Sequence, residues 1–202
     1  MKNRGETPGV NAGSMADIAF LLLIFFLVTT SIETDVGFNR MLSPIDISPP
    51  LPYNDKNILL VQVNHNNEIL VDNELVDITD LRRIAVAFID NGGATLDSEH
   101  YCDYCQGERS VFSSENPNKA VISLSSERDT GYATFIAIQN ELVGAYNQLR
   151  NREALKLYGV KYTDMESEYL NVTSKGRKAK LKEKIETIKR RYPQKLSEAE
   201  IK

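Results

Sequence analysis

Little in this chain points to catalysis. Its 202 residues include only two cysteines and two histidines. A zinc-type site drawn from His65, His100, Cys102 and Cys105 lacks a convincing fourth ligand, so no metal centre is expected. There is no catalytic triad, phosphate-binding loop, nucleic-acid motif or internal repeat. These absences argue against an enzyme, a bound cofactor and a nucleic-acid partner. The cysteines do share a Cys-x-x-Cys spacing, which elsewhere marks redox catalysis. That motif normally opens a helix after a strand. Here it sits in "DSEHYCDYCQGE", with no apolar strand before it. The acidic neighbours Asp103 and Glu108 also disfavour a reactive thiolate. With no third thiol in the chain, Cys102 and Cys105 are expected to form a plain loop-closing disulfide in an oxidising compartment.

What the chain does have is one concentrated apolar run. Charged residues make up 26% of the whole, with a formal net charge of -4. Yet from Met15 to Ile32 the only ionisable side chain is Asp17. As a helix that stretch spans roughly 27 Å, close to a bilayer's hydrocarbon core. Residues 14–33 are therefore expected to form a transmembrane helix. A signal peptide is a competing reading, but the run is long for one and an acid at its start is unusual. A buried helix of a soluble protein is another, but the remaining chain is too small and the flanks too polar to wrap it. Lys2 and Arg4 lie on the short N-terminal side, while Glu33 and Asp35 open the other flank. Basic residues stay inside, which predicts a cytoplasmic N-terminus (1–13) and an exported remainder.

Residues 34–56 contain Pro44, Pro49, Pro50 and Pro52 and few apolar pairs. They read as a semi-extended linker, able to reach on the order of 70 Å when stretched. A compact domain is expected over 57–150. "NILLVQVN" and "ILVDNELV" read as two strands of a hairpin joined through "NHNNE". Asp77 and Thr79 are cap candidates for a helix with Leu81, Ile84, Ala85 and Phe88 on one stripe, stopped by Asn91-Gly92-Gly93. A polar loop over 92–118 carries the cysteines, and "KAVISLSS" reads as the next strand. "TGYATFIAIQNELVGAYNQLR" is an amphipathic helix, with Phe135, Ile138, Leu142, Tyr146 and Leu149 at spacings of three and four. "NREALKLYG" can continue it to Gly159. Residues 151–202 are expected to be a basic helical extension with a thin apolar stripe of Leu181, Ile185, Ile188 and Tyr192. The fold class is thus α+β: one N-terminal membrane helix, a Pro-containing tether, a small two-layer β-β-α-β-α domain and a basic helical tail.

Asp17 admits two readings. It can lie at the interface near a helix N-terminus, where the dipole favours an acid. Or it can be embedded and titrate. An ionised Asp at membrane depth costs about 2.5 to 3.5 kcal/mol on insertion scales and marks a functional site by default. Facing lipid it would be useless, so it needs a partner that offers a wet, polar path.

The stretch "NAGSMADIAFLLLIFFLVT" resembles the membrane motif of the ExbD/TolR family. There an Asn lies six residues before a membrane Asp and a Thr twelve after it, as Asn11, Asp17 and Thr29 do here. The family usually has Thr-Pro three to four residues before the Asp, where this chain has Gly13 and Ser14. The hairpin "VQVNHNNEILVDNELV" and the strand-to-helix passage "SERDTGYATFIAIQ" are also similar to the family's exported domain. The cysteine loop and the tail from about 151 depart from it, and the usual final strand after the last helix is not evident. The resemblance covers roughly residues 10 to 150.

It implies an ion-driven force generator of the bacterial inner membrane, with its C-terminal domain in the periplasm. A homodimer of single helices would sit in lipid within a ring of an ExbB-like multi-helix protein. Asp17 would bind the proton, and Asn11 and Thr29 would be pore-lining candidates. Thr29 can equally be a helix Thr bonded to its own backbone. The exported domain would pass motion to a TonB-like protein that opens outer-membrane receptors, or serve a TolR-like role in envelope maintenance. A passive anchored binding protein is the reading without coupling.

Overall fold

The computed structural model describes residues 12–29, 54–127 and 129–200, with the side chains at 14, 27–29, 199 and 200 excepted. It divides into two compact units, residues 1–48 and 49–202. In the first unit, helix α1 runs over Ala12–Thr29. Proline is absent from this stretch and its Leu and Ala residues propagate a helix well. Apolar side chains from Met15 to Phe26 stand exposed around it. The helix has 18 residues, roughly 27 Å, a little short of a hydrocarbon core of about 30 Å. Among the described residues no helix is long and apolar enough to cross a membrane. The end of the expected span, Asn11 and all of the linker up to residue 53 lie outside the described residues.

The second unit is a mixed five-stranded sheet, ordered β3-β2-β1-β4-β5. A single 3-10 turn, Asp55–Asn57, leads into β1, Ile58–Val63. Along β1, Leu59, Val61 and Val63 are buried while Leu60 is exposed, the period-two pattern of a strand packed on one face. Strands β2 (Ile69–Val71) and β3 (Glu74–Val76) follow as antiparallel neighbours. The segment "ILVDNELV", expected as one strand, is thus two. Asp72 and Asn73 both have positive φ, 49° and 70°, and Asp/Asn tolerate the left-handed region that a two-residue hairpin turn requires.

Helix α2, Ile78–Ile89, starts where Asp77 accepts the backbone N–H of Thr79 at 2.8 Å. It buries Leu81, Ala85, Phe88 and Ile89. After the cysteine loop, β4 (Val121–Ser126) pairs in parallel with β1, Ile58 opposite Val121. Helix α3 runs unbroken over Tyr132–Tyr158 and ends at Gly159, φ 69°. Its first half lays Ile138, Leu142, Tyr146 and Leu149 into the main core with the sheet and α2. Its last turns belong to a second core, where Ala154 meets Tyr162 and Met165 of α4 (Tyr162–Asn171) and Leu181, Ile185 and Ile188 of α5 (Lys175–Arg191).

The tail corrects two expectations. It does not stay helical. After α5 it forms β5, Leu196–Glu200, which pairs in parallel with β4, Ile122 opposite Leu196. The final strand not evident in the sequence after α3 is therefore supplied about forty residues later, from a stretch (LSEAE) whose Ser, Glu and Ala carry little strand signal. The order is β-β-β-α-β-α-α-α-β rather than β-β-α-β-α.

Candidate functional site

In α1, Asp17 is the sixth residue of the helix and no acid lies in the first turn. The dipole's influence fades within that turn, so the helix end gives Asp17 little support. Long-axis side-chain direction in a helix carries each group back over the preceding turn. For Asp17 that turn is Gly13–Ser14, two of the smallest residues in the run. Toward the other end the same face continues with Phe20, Leu21 and Ile24, all exposed and apolar. The carboxylate therefore lies between two residues that are small by sequence and an exposed apolar ridge. Thr29 is the last residue of α1. It lies about 18 Å along the axis from Asp17 and about 120° around it. Asp17 and Thr29 share a helix but not a face, and Asn11 is outside the described residues.

The second unit brings together residues that no local pattern connects. Asp90, at the end of α2, is only 3% exposed. Its carboxylate takes a bidentate fork from Arg152 of α3, at 2.7 and 2.8 Å. It also accepts the Tyr192 hydroxyl at 2.7 Å and the Gln106 backbone N–H at 3.2 Å. Tyr192 is fully buried, accepts a further bond from Arg152 at 2.8 Å, and gives its carbonyl to Arg150 Nε at 2.9 Å. Burial, reinforced by the bond to Asp90, pushes the Tyr192 phenol well above its usual range. Beside it, Arg191 pairs with the buried Glu153. One carboxylate thus ties α2, the cysteine loop, α3 and the C-terminal segment.

Cys102 and Cys105 are joined in a disulfide and nearly buried, at 2% and 5% exposure. Arg109 donates to the carbonyls of both, at 3.1 and 3.3 Å. The loop holding them runs between α2 and β4 and opens no helix, unlike a thiol-disulfide catalytic motif. His65 pairs with Glu127 at the far end of β1. Among the described residues no group of His, Cys, Asp or Glu is placed to hold a metal ion. The Asp90–Tyr192 bond spans 102 positions, and such a separation leaves no periodic or motif signal in the sequence. Tyr192 was legible only as the last residue of an apolar stripe.

A family model described as biopolymer transport protein ExbD/TolR matches residues 3–152. The chain belongs to the ExbD/TolR family. No curated protein matches the chain. The family is one of transport proteins rather than enzymes. The matched range includes α1 with Asp17, the sheet strands β1 to β4 and most of α3. It ends at Arg152, so α4, α5 and β5 lie beyond it. In this ExbD/TolR chain, the Arg152 fork on Asp90 therefore sits at the seam between the shared body and the added tail.

Proposed function

We propose that the chain is an ExbD-like, proton-motive-force-transducing subunit of the bacterial inner membrane. The observation that carries this reading is a lone acid, Asp17, in an apolar exposed helix of an ExbD/TolR family member. In the proposal, α1 and the three uncharged residues that follow it to Ile32 cross the bilayer once. The N-terminus with Lys2 and Arg4 is cytoplasmic, and the second unit is periplasmic. The disulfide supports the oxidising side for that unit. Two copies of α1 sit within a ring of an ExbB-like multi-helix protein, bordered by lipid.

The energetics fit a carrier. Ionising Asp17 at depth costs about 3 kcal/mol, and a charge crossing 100 mV releases about 2.3 kcal/mol. The two are comparable, so a modest polar path from the partner is enough to let the acid load and unload. Protonated, Asp17 passes an apolar wall. Ionised, it is held against a polar one. Alternation turns the helix pair against the ring, and the folded unit passes the motion to a TonB-like protein serving outer-membrane import. A TolR-like role in envelope maintenance uses the same parts with a different output. Asn11 and Thr29 are proposed to line the proton path, with Thr29 on the periplasmic side.

Asp17→Asn keeps shape and removes titration. Its expected outcome is normal insertion and normal co-purification with the ring protein, with energised uptake reduced to background. Wild-type uptake in this variant would overturn the carrier role and favour a passive anchor.

A further inference from the structure

We propose that the loop closed by Cys102 and Cys105 is a clasp that holds the C-terminal strand on the sheet, so that the disulfide decides whether β5 or β4 forms the sheet edge. The residue between the cysteines that reaches furthest is Tyr104. Its hydroxyl donates to the carbonyl of Arg191, the last residue of α5, at 2.8 Å. Its ring meets Tyr192 edge-on, with centroids 5.4 Å apart, and the Arg191 guanidinium lies over its face at 5.0 Å. Three contacts from one loop residue thus fall on the two residues that lead the tail out of α5. Three residues on, the Lys195 carbonyl accepts Ile122 N–H at 2.9 Å, and the parallel pairing with β4 begins.

The cross-link closes the turn that carries Tyr104, while Gln106 and Gly107 tie the following residues to Asp90. Among the described residues 92–118 there is no helix or strand. The loop is shaped by Asn91 side-chain bonds to Ser110 and Ser114, by Arg109 on the cysteine carbonyls and by the disulfide itself. The Cys105 side chain packs so closely on Gly92 that an added Cβ there would sit 2.8 Å from it. The strand it guards lies at the edge of the sheet, paired with β4. Parallel pairing of five edge residues is weak in isolation; among the described side chains, Leu196 packs against the main core and Glu198 accepts from Gln139. Just ahead of the strand, Tyr192 is held by the clasp, and Lys195 is held by the Tyr146 hydroxyl. A dithiol reductant exchanges with the disulfide, giving one thiol on each cysteine while its own sulfurs join. That exchange frees the Tyr104 backbone, and β5 becomes the next element to open.

Hydrogen exchange on the full chain in detergent tests this, read peptide by peptide. In Cys102→Ser/Cys105→Ser, and in wild type after dithiol treatment with both thiols verified free, exchange over 196–200 is expected to rise about ten-fold or more while β1 keeps its protection. Unchanged protection over 196–200 would overturn the clasp. So would an equal rise throughout the second unit, which would make the disulfide a global staple. Should the double Ser variant fail to fold, Tyr104→Ala retains the cross-link and is expected to accelerate the same peptide selectively; no acceleration there overturns the proposal.

Discussion

Tyr146 shows how a single buried phenol sets a limit on the pH range of the fold. It is 1% exposed, beneath β5, with its hydroxyl donating to the Lys195 carbonyl at 3.3 Å and accepting the Lys195 N–H at 3.2 Å. Burial raises its pKa from 10.0 to about 12. Tyr104 is raised to about 12 as well, again chiefly by burial. In each case the folded state keeps the proton that the unfolded chain gives up near pH 10. The contribution to stability is therefore fully present below pH 10 and is lost as pH rises through about 12. For Tyr146 the slope in that window is about 1.4 kcal/mol per pH unit. Urea midpoints are expected to be flat from neutral pH to about pH 10 and to fall above it. Tyr146→Phe is expected to make the alkaline fall less steep, with Tyr104 and Tyr192 still contributing, while lowering stability at neutral pH through the lost hydrogen bonds. An alkaline limb of unchanged steepness would reject this assignment. At this scale Asp17 stands out in the sequence because a lone acid in an apolar run is conspicuous. Asp90 does not, since it only precedes the Asn91-Gly92-Gly93 stop and its partners come from positions far along the chain.

Among the elements, those with a strong period declared themselves. The stripes of α2 and α3 were correctly placed because burial on one face of a helix repeats every three to four residues. The sequence left the end of α3 open, and the structure closes it at Gly159, φ 69°, where glycine's freedom permits the left-handed cap. What failed was strand reading over short or polar pieces. The β2–β3 hairpin has three-residue arms, too short for alternation to show. β5 exists because β4 offers an edge and α5 returns the chain to it, which is tertiary context rather than propensity. Two glycines separate backbone cost from clash. An added Cβ at Gly159 meets nothing within 4 Å, so Gly159→Ala is expected to cost only the left-handed backbone, about 1 kcal/mol in thermal or urea unfolding. At Gly93 an added Cβ would fall 2.2 Å from the Ser110 carbonyl oxygen. Gly93→Ala is expected to cost more than Gly159→Ala and to disturb the cysteine loop. The opposite ranking would show that the loop relaxes freely around residue 93.

At the scale of the whole molecule, the acid and the folded domain lie in separate compact units. Lesions in the two are thus expected to separate. Asp17→Asn leaves the melting of the second unit unchanged, whereas Leu142→Ala, at a fully buried core position, costs about 2 to 5 kcal/mol and leaves membrane insertion intact. What joins the units is the linker, where reach and sequence are distinct requirements. Reach of a flexible or semi-extended segment scales with its length. Specific pairing would instead need the apolar residues of "MLSPIDIS", Ile45 and Ile47 above all. Replacing residues 41–48 by a Gly/Ser run of equal length keeps the first and removes the second. Deleting them keeps neither and shortens the stretched reach by roughly 27 Å. The expected outcome is near-normal partner assembly and energised uptake for the replacement, and assembly with strongly reduced uptake for the deletion. If the replacement assembles but does not energise uptake, the linker acts through its own side chains, and pairing of "MLSPIDIS" at a sheet edge becomes part of the transmission.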